Sequence, residues 1–242
     1  LFIVVLMFTT LLYFFIFRLN IRSKSQYIWL AASSGFYIYT ALQLRKIPEE
    51  AVHLLEFGVL SYCLFRALSH RIRDWTVYVT TSLFVFLIGM IDEFIQWVIP
   101  GRIWDYRDVG INGLAGVFFV LMVGMGIKPH IARGPVNKGS VNILAGIIII
   151  NLIFLGLCLS NTPDAVKSYT SVFPGLSWLV QEEPMSEYGH NIRAFFRKSH
   201  YPVEAWKLIS LFSVRTAWYI IIASIVTVVA GSKFWKRRLT DG

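Results

Sequence analysis

Long apolar stretches constrain the fold of this chain more than any other feature. A helix needs about 20 apolar residues to cross a hydrocarbon core of about 30 Å. Seven stretches reach or approach that length, and they are Leu1–Phe17, Tyr27–Gln43, Ala51–Leu68, Thr76–Ile99, Asp108–Ile127, Val141–Leu159 and Thr216–Gly231. Because a spanning helix satisfies its backbone hydrogen bonds internally, they predict an all-α, multi-pass membrane bundle of about seven transmembrane helices. We expect the first stretch to be retained and not removed as a signal peptide.

The composition agrees with a membrane protein. Hydrophobic residues make up 56% of the 242 residues, charged residues make up 15%, and the mean hydropathy is +0.60. Soluble domains carry more charge and fewer apolar residues than this. Cys63 and Cys158 both fall within apolar stretches. We therefore expect two small core residues, and neither a disulfide framework nor a metal pair.

Lys and Arg residues are distributed unequally between the two ends of the predicted bundle. Alternate connections and the tail carry Arg18, Arg22, Lys24, Arg66, Arg71, Arg73, Lys128, Arg133, Lys138, Lys233, Lys236, Arg237 and Arg238. The short connections at the opposite end carry Arg45, Lys46, Arg102 and Arg107. Because basic residues in short loops stay cytoplasmic, the N-terminus is predicted outside and the C-terminus inside. The net charge of +9 is then mostly topological, and no nucleic-acid partner is expected.

Three pairs of polar side chains fall at the same end of three successive predicted helices. They are His53 and Glu56, Asp92 and Gln96, and Asp108 and Asn112. Each pair has a spacing of three or four residues, which puts both members on one face of a helix. With a rise of about 1.5 Å per residue, all six lie within about 12 Å of the outer helix ends. The three stripes are therefore predicted to converge on one outward-facing polar pocket.

The connection between the fourth and fifth helices adds a cation to this end. Pro100 and Gly101 favour a tight reversal, and Arg102 then lies at the mouth of the predicted pocket. The planar guanidinium group suits a carboxylate or a phosphate. Asp105 and Arg107 follow in the same connection, where we expect them on the solvated surface.

Several of these residues also have a purely structural interpretation. Asp92 and Gln96 can hold helices together by hydrogen bonds worth about 1 kcal/mol without any ligand. Glu93 is rotated by about 100° from Asp92, so it either faces the pocket or packs against a neighbouring helix. Asp108 lies near the start of its helix, where a carboxylate stabilises the exposed N–H groups.

The polar residues stand in a pattern that resembles the VanZ-like family. The pattern consists of Asp92-Glu93-x-x-Gln96, Pro100-Gly101-Arg102, Asp108-x-x-x-Asn112 and, on the preceding helix, His53-x-x-Glu56-Phe57. It covers roughly residues 10–127. The resemblance implies a bacterial cell-envelope membrane protein, related to a protein linked with resistance to glycopeptide antibiotics of the teicoplanin type. It places the chain in the cytoplasmic membrane.

The resemblance divides the chain into two predicted parts. Residues 1–127 form a VanZ-like core of five helices, and residues 128–242 form an extension with two more transmembrane helices and an extracytoplasmic stretch at 160–215. Within that stretch, Asn191–Lys198 and Val203–Arg215 mix basic and aromatic residues, which is typical of segments lying on a bilayer surface. The alternative is a docking surface for another membrane protein.

Three functions are compatible with these patterns. In the first, the protein binds or modifies an envelope component at the outer leaflet, such as a lipid-linked precursor bearing a phosphate or carboxylate. Its ligand-binding residues would be His53, Glu56, Asp92, Glu93, Gln96, Arg102, Asp108 and Asn112. In the second, it is a non-catalytic subunit or assembly factor that contacts other subunits through 160–215. Ion or proton coupling is the least favoured, because no polar chain continues to the inner side.

The sequence leaves open whether the protein is an enzyme. A hydrolase or transferase would use His53 as general base, oriented by Asp92 or Glu56. No Gly-rich phosphate loop and no G-x-S-x-G motif occurs. The carboxylates and His53 do not have the spacing of a common metal site, so neither a metal nor a cofactor is expected.

Overall fold

The computed structural model describes Leu6, Thr9, Thr10, Tyr13 and residues 23–44, 48–99, 104–127, 132, 134–180 and 214–241. The regular elements within these residues are all helical, which confirms the predicted all-α class. They are α1 (Lys24–Gln43), α2 (Pro48–Ser69), α3 (Thr76–Val98), α4 (Tyr106–Leu121) with a π-helix (Met122–Ile127), α5 (Lys138–Ser160), α6 (Pro163–Val172), a 3₁₀-helix (Pro174–Val180) and α7 (Val214–Asp241).

Five helices of the described part are long and apolar enough to cross a membrane. These spans are Ala51–Ser69, Thr76–Val98, Asp108–Ile127, Lys138–Ser160 and Val214–Leu239. They confirm five of the seven predicted stretches. The second stretch forms α1, which buries the polar side chains of Ser33 and Ser34 and falls outside this set. Most of the first stretch lies outside the described residues, so the total of seven stays a prediction.

The last helix is longer than its apolar stretch. We predicted Thr216–Gly231, whereas α7 runs for 28 residues from Val214 to Asp241. The additional turns contain Lys and Arg, which are good helix formers, so the helix continues after the apolar run has ended. Of the predicted surface segments, Asn191–Lys198 lies outside the described residues, and so does Val203–Arg215 up to residue 213.

The chain forms two compact units, which do not follow chain order. The first unit comprises Leu1–Ser82 and Leu114–Ser140, and the second comprises Leu83–Gly113 and Val141–Gly242. Both α3 and α4 therefore contribute residues to each unit. The predicted division of the chain at residue 127 is a division by family pattern and stays a prediction.

Hydroxyl groups fix two helices of the first unit to α4. The Tyr37 hydroxyl on α1 donates a hydrogen bond to the carbonyl of Ala115. The Ser61 hydroxyl on α2 donates to the next carbonyl, that of Gly116, at 3.2 Å. Tyr37 and Ser61 are both buried. In a bilayer such interhelical hydrogen bonds contribute about 0.6 to 2 kcal/mol each, so they help to set the position of α1 and α2.

A buried carboxylate caps the start of α3 in the first unit. Asp74 is 0% exposed and accepts hydrogen bonds from the Thr76 backbone N–H at 2.9 Å and the Thr76 hydroxyl at 2.6 Å. Its second oxygen accepts from the Ser140 hydroxyl. Asp74 therefore pairs with a backbone N–H that has no partner within α3. It also links the start of α3 to the start of α5.

The second unit contains a continuous hydrophobic core. Its buried members come from α3, the connection before α4, α4, α5, α6 and the 3₁₀-helix. They are Leu87, Met90, Trp97, Trp104, Val109, Ile147, Cys158, Val166 and Leu179. Cys158 is thus the expected core residue. Cys63 is exposed on α2, so the same expectation is wrong for it, because its position on the helix faces away from the packed side.

Within the second unit, α7 packs against the end of α5 near its own first turn. The Trp218 indole N–H donates to the Ser160 hydroxyl at 2.8 Å, and the ring covers Gly156, where a Cβ would lie 2.7 Å from the Trp218 Cη2. Beyond this contact the helix exposes large apolar side chains such as Tyr219 (70%) and Val226 (61%). Only 6% of the most apolar stretch of this helix is buried within the protein.

Candidate functional site

A group of four carboxylates lies in the second unit, centred on Glu93. We call Asp92, Glu93, Asp105 and Asp108 the carboxylate cluster. Glu93 is 1% exposed and interacts electrostatically with the other three. Its Oε2 accepts a hydrogen bond from the Asp105 backbone N–H at 3.1 Å. Glu93 therefore connects the end of α3 to the start of α4.

Gln96 orders the two carboxylates that precede it on α3. Its Nε2 donates to the Asp92 Oδ2 at 3.0 Å and lies 3.4 Å from the Glu93 Oε1. The amide thus makes contact at both the i−4 and the i−3 positions, as neighbours on one helical face do. Adjacent residues of a helix point in directions about 100° apart, and the Gln96 amide bridges the two carboxylates across this angle.

Asp105 is buried, and the expectation that it lies on the solvated surface is wrong. It is 2% exposed, and its backbone N–H donates to Glu93. Its carbonyl accepts the N–H groups of Asp108 at 3.1 Å and Val109 at 3.4 Å, so Asp105 directly precedes the first turn of α4. The Arg107 side chain lies outside the described residues. Asp108 falls in the first turn of α4, where the helix dipole favours a carboxylate.

Asn112 lies one turn beyond Asp108 on α4 and is 1% exposed. Neither its Nδ2 nor its Oδ1 has a hydrogen-bond partner among the described residues. The buried Trp104 indole N–H beside Asp105 is in the same condition. Leaving a buried polar group unsatisfied costs about 1 to 3 kcal/mol, and most such groups in native proteins bind other polar groups or ordered water. The side chain of Asn112 is therefore the strongest indication of a ligand-binding position.

His53 and Glu56 form the contact that their spacing predicts, but they belong to the first unit. The His53 Nδ1 lies 3.4 Å from the Glu56 Oε2, with the side chains 30% and 61% exposed. The convergence of this pair with the carboxylate cluster stays a prediction. Arg102 and the whole turn at 100–102 lie outside the described residues.

The hydrogen-bonding groups of the cluster limit the ligands that it can bind. Carboxylates accept hydrogen bonds, while the Asn112 amide both donates and accepts them. Among the described residues, no three His, Cys, Asp or Glu side chains are placed to hold a metal ion. The arrangement is suited to ligand groups that carry several hydrogen-bond donors, such as hydroxyl and amide groups.

Two residues of the site were missed by sequence reasoning. Asp105 directly precedes a helix, and Asp at such a position is a helix-start signal, so its ordered role was detectable. Trp104 carried no comparable signal, because its burial depends on the side chains that pack around it in the core of the second unit.

Comparison with known families gives one match. The family described as VanZ/LLP1 matches residues 1–126, slightly more than half of the 242 residues. This range includes α1 to α4 and with them the carboxylate cluster, Gln96 and Asn112. No curated protein and no solved structure gives a significant match.

Proposed function

The chain belongs to the VanZ/LLP1 family and is a multi-pass membrane protein, and from this premise we propose that it binds a lipid-linked precursor of the bacterial cell envelope. Binding takes place at the outer side of the cytoplasmic membrane. The N-terminus lies outside and the C-terminus in the cytoplasm, as the distribution of Lys and Arg favours. The antibiotic-resistance role that the family resemblance implies would follow from binding such a precursor.

The observation that carries this proposal is the unpaired amide of Asn112. The side chain is 1% exposed and both its polar atoms lack described hydrogen-bond partners. It shares a helical face with Asp108, which interacts with Glu93. So many polar groups at one depth of a membrane protein exceed what helix association requires.

The chemistry of the cluster selects the part of the ligand that it contacts. Four carboxylates repel an anion, so the phosphate of a lipid-linked precursor does not bind there. Hydroxyl or amide groups of a saccharide or peptide head group match carboxylate acceptors and the amide of Asn112. We assign the phosphate to Arg102, because a guanidinium group suits phosphate oxygens. His53 and Glu56 belong to the first unit, and their part in ligand binding stays a prediction.

Native mass spectrometry on protein extracted gently from its own membranes tests the proposal. We expect the wild-type chain to carry a stoichiometric polyprenyl-linked mass and Asn112→Leu to lose it. Asn142 is an exposed Asn on α5, so Asn142→Leu is a matched control that should retain the bound mass. Retention of the mass by Asn112→Leu, or its absence from the wild type, would refute the proposal.

A second candidate is a non-catalytic subunit or assembly factor of a larger membrane complex. The specific observation in its favour is α7, whose most apolar part is only 6% buried inside the protein. Co-purification of other membrane proteins that is lost when Tyr219 and Val226, both exposed on α7, are replaced by Ser, but is unaffected by Asn112→Leu, would favour this second function.

A further inference from the structure

The end of α7 combines an apolar helix with a dense basic segment. From Val214 to Ser232 the helix contains one charged residue, Arg215, and its large side chains are mostly exposed. A helix of this kind is surrounded by lipid acyl chains in a bilayer. The composition then changes within one turn, so the helix leaves the hydrocarbon near residue 233.

The residues that follow carry four positive charges in six positions. They are Lys233, Lys236, Arg237 and Arg238, interrupted by Phe234 and Trp235. The structure keeps them helical, because α7 continues to Asp241. Lys233, Arg237 and Arg238 are exposed and Lys236 is half-buried. Asp241 is the one acidic residue in the sequence of this helix, so the charge of the segment is strongly positive.

Aromatic side chains place this segment at the depth of lipid head groups. Trp235 is half-buried, and Trp is typical of the membrane–water interface. Phe234 is 60% exposed, as an apolar residue of an interfacial helix can be. The Arg238 guanidinium carbon lies 5.0 Å from the centre of the Phe234 ring. This cation–π contact orients the guanidinium group, which keeps its planar donors suited to phosphate oxygens.

Topology and helix-dipole effects alone would place some basic residues here, since cations stabilise a helix C-terminus. They do not require an exposed Phe between the cations or a guanidinium group held against its ring. We propose that residues 233–238 form a binding site for anionic phospholipids, whose phosphate groups contact the basic side chains while the acyl chains cover the exposed apolar face of α7. This site is separate from the proposed precursor site.

Nanodiscs containing phosphatidylcholine and phosphatidylglycerol test the site on the full chain. After transfer to a mild detergent, native mass spectrometry measures which lipid is retained. We expect the wild type to be enriched in phosphatidylglycerol over phosphatidylcholine. Each basic residue contributes about fivefold to attraction of anionic lipid, equivalent to about 1 kcal/mol. The double variant R237Q/R238Q should therefore lose on the order of 25-fold of the enrichment.

Two controls separate this site from other effects. The variant K233R/K236R keeps every charge and should retain the enrichment, as should Asn112→Leu, which alters only the precursor site. Because both leaflets of the nanodisc have the same composition, an inverted orientation does not change the result. Inorganic phosphate in the buffer should leave the enrichment intact if the ligand is a lipid and abolish it if the site binds free phosphate.

A measurement on the wild type alone also decides the question if a variant does not fold. Raising the ionic strength from 0.15 to 1 M shortens the screening length from about 8 to about 3 Å and should sharply reduce phosphatidylglycerol retention. Equal retention of the two lipids by the wild type, or unchanged enrichment in R237Q/R238Q, would overturn the proposal.

Discussion

Glu93 and Asn112 are both 1% exposed, but they differ in their hydrogen bonds. Glu93 accepts the Asp105 N–H at 3.1 Å and lies beside the Gln96 amide, so it organises the junction of α3 and α4. Asn112 has no described partner for either polar atom. A satisfied polar group contributes to the architecture, whereas an unsatisfied one destabilises the ligand-free protein.

The stability of the Asn112→Leu variant follows from this difference. Leu has the branched shape of Asn and carries no polar atom, so the substitution removes the buried amide, although the larger Leu side chain costs some packing energy. We expect the ligand-free protein to gain up to about 1 kcal/mol in free energy of unfolding, because removing the amide outweighs the packing cost of the larger side chain. Denaturation in detergent measures this change. A loss of comparable size would mean that the amide is satisfied in the native protein.

Substitutions of Glu93 test its role as an anchor for the start of α4. Glu93→Gln keeps a carbonyl oxygen that can accept the Asp105 N–H, so we expect a change below about 1 kcal/mol. Glu93→Leu leaves that N–H unpaired and should lower the free energy of unfolding by about 1 to 3 kcal/mol. Equal effects of the two substitutions, measured by the same denaturation, would show that the hydrogen bond is not the reason for the burial.

At the scale of elements, close helix contacts depend on small residues at particular positions. Gly156 on α5 lies against the Trp218 ring of α7. In the first unit, Gly126 in the π-helix lies against Leu30 of α1, where a Cβ would approach the Leu30 Cγ to 2.9 Å. Lipid supplies no hydrophobic drive for helices to associate, so packing of this kind is a main source of association.

Two glycines on α5 provide a matched pair for testing this packing. A Cβ at Gly156 would meet three Trp218 ring atoms at 2.7 to 3.0 Å, whereas nothing lies within 4 Å of a Cβ at Gly146. Gly156→Ala should therefore destabilise the protein by about 1 to 3 kcal/mol through overpacking. Gly146→Ala should be neutral or stabilising by up to about 1 kcal/mol. Thermal unfolding of both variants checks this prediction. Equal shifts in the unfolding temperature would show that the Trp218 ring moves to accommodate the added methyl group at little cost.

The elements were more predictable from sequence than the contacts between their side chains. The apolar run Thr76–Ile99 predicts a helix that ends one residue earlier, at Val98, because apolar length is a local property. The spacing of Asp92 and Gln96 likewise predicts their hydrogen bond. The burial of Asp105 and Trp104 depends on residues packed against them from other elements, and no spacing within one helix reports that.

For the whole molecule, the family match and the two compact units divide the chain differently. Residues 1–126 match the family, whereas the second unit joins Leu83–Gly113 to Val141–Gly242. The carboxylate cluster therefore belongs to a unit that is built partly from residues beyond the match. The Asn151 amide on α5 illustrates this, since it donates to the Leu83 carbonyl on α3 at 3.2 Å. Sequence spans alone could not predict this division.

The orientation of the molecule in the membrane gives a further prediction. The excess of Lys and Arg on alternate connections predicts a cytoplasmic C-terminus. Green fluorescent protein fused to the C-terminal end should therefore fluoresce in bacterial cells, while alkaline phosphatase at the same position should be inactive. An active phosphatase fusion without fluorescence would reverse the orientation and move the carboxylate cluster to the cytoplasmic side.

The most direct test of precursor binding compares thermal unfolding of the wild type and Asn112→Leu, each with and without a lipid extract from the native envelope. A ligand that binds only the folded state raises the unfolding temperature, and at a given concentration a tighter ligand raises it more. We predict that the extract raises the Tm of the wild type but not that of Asn112→Leu, although the variant is the more stable of the two without extract. An equal rise in both proteins, or none in the wild type, would contradict a precursor site at Asn112.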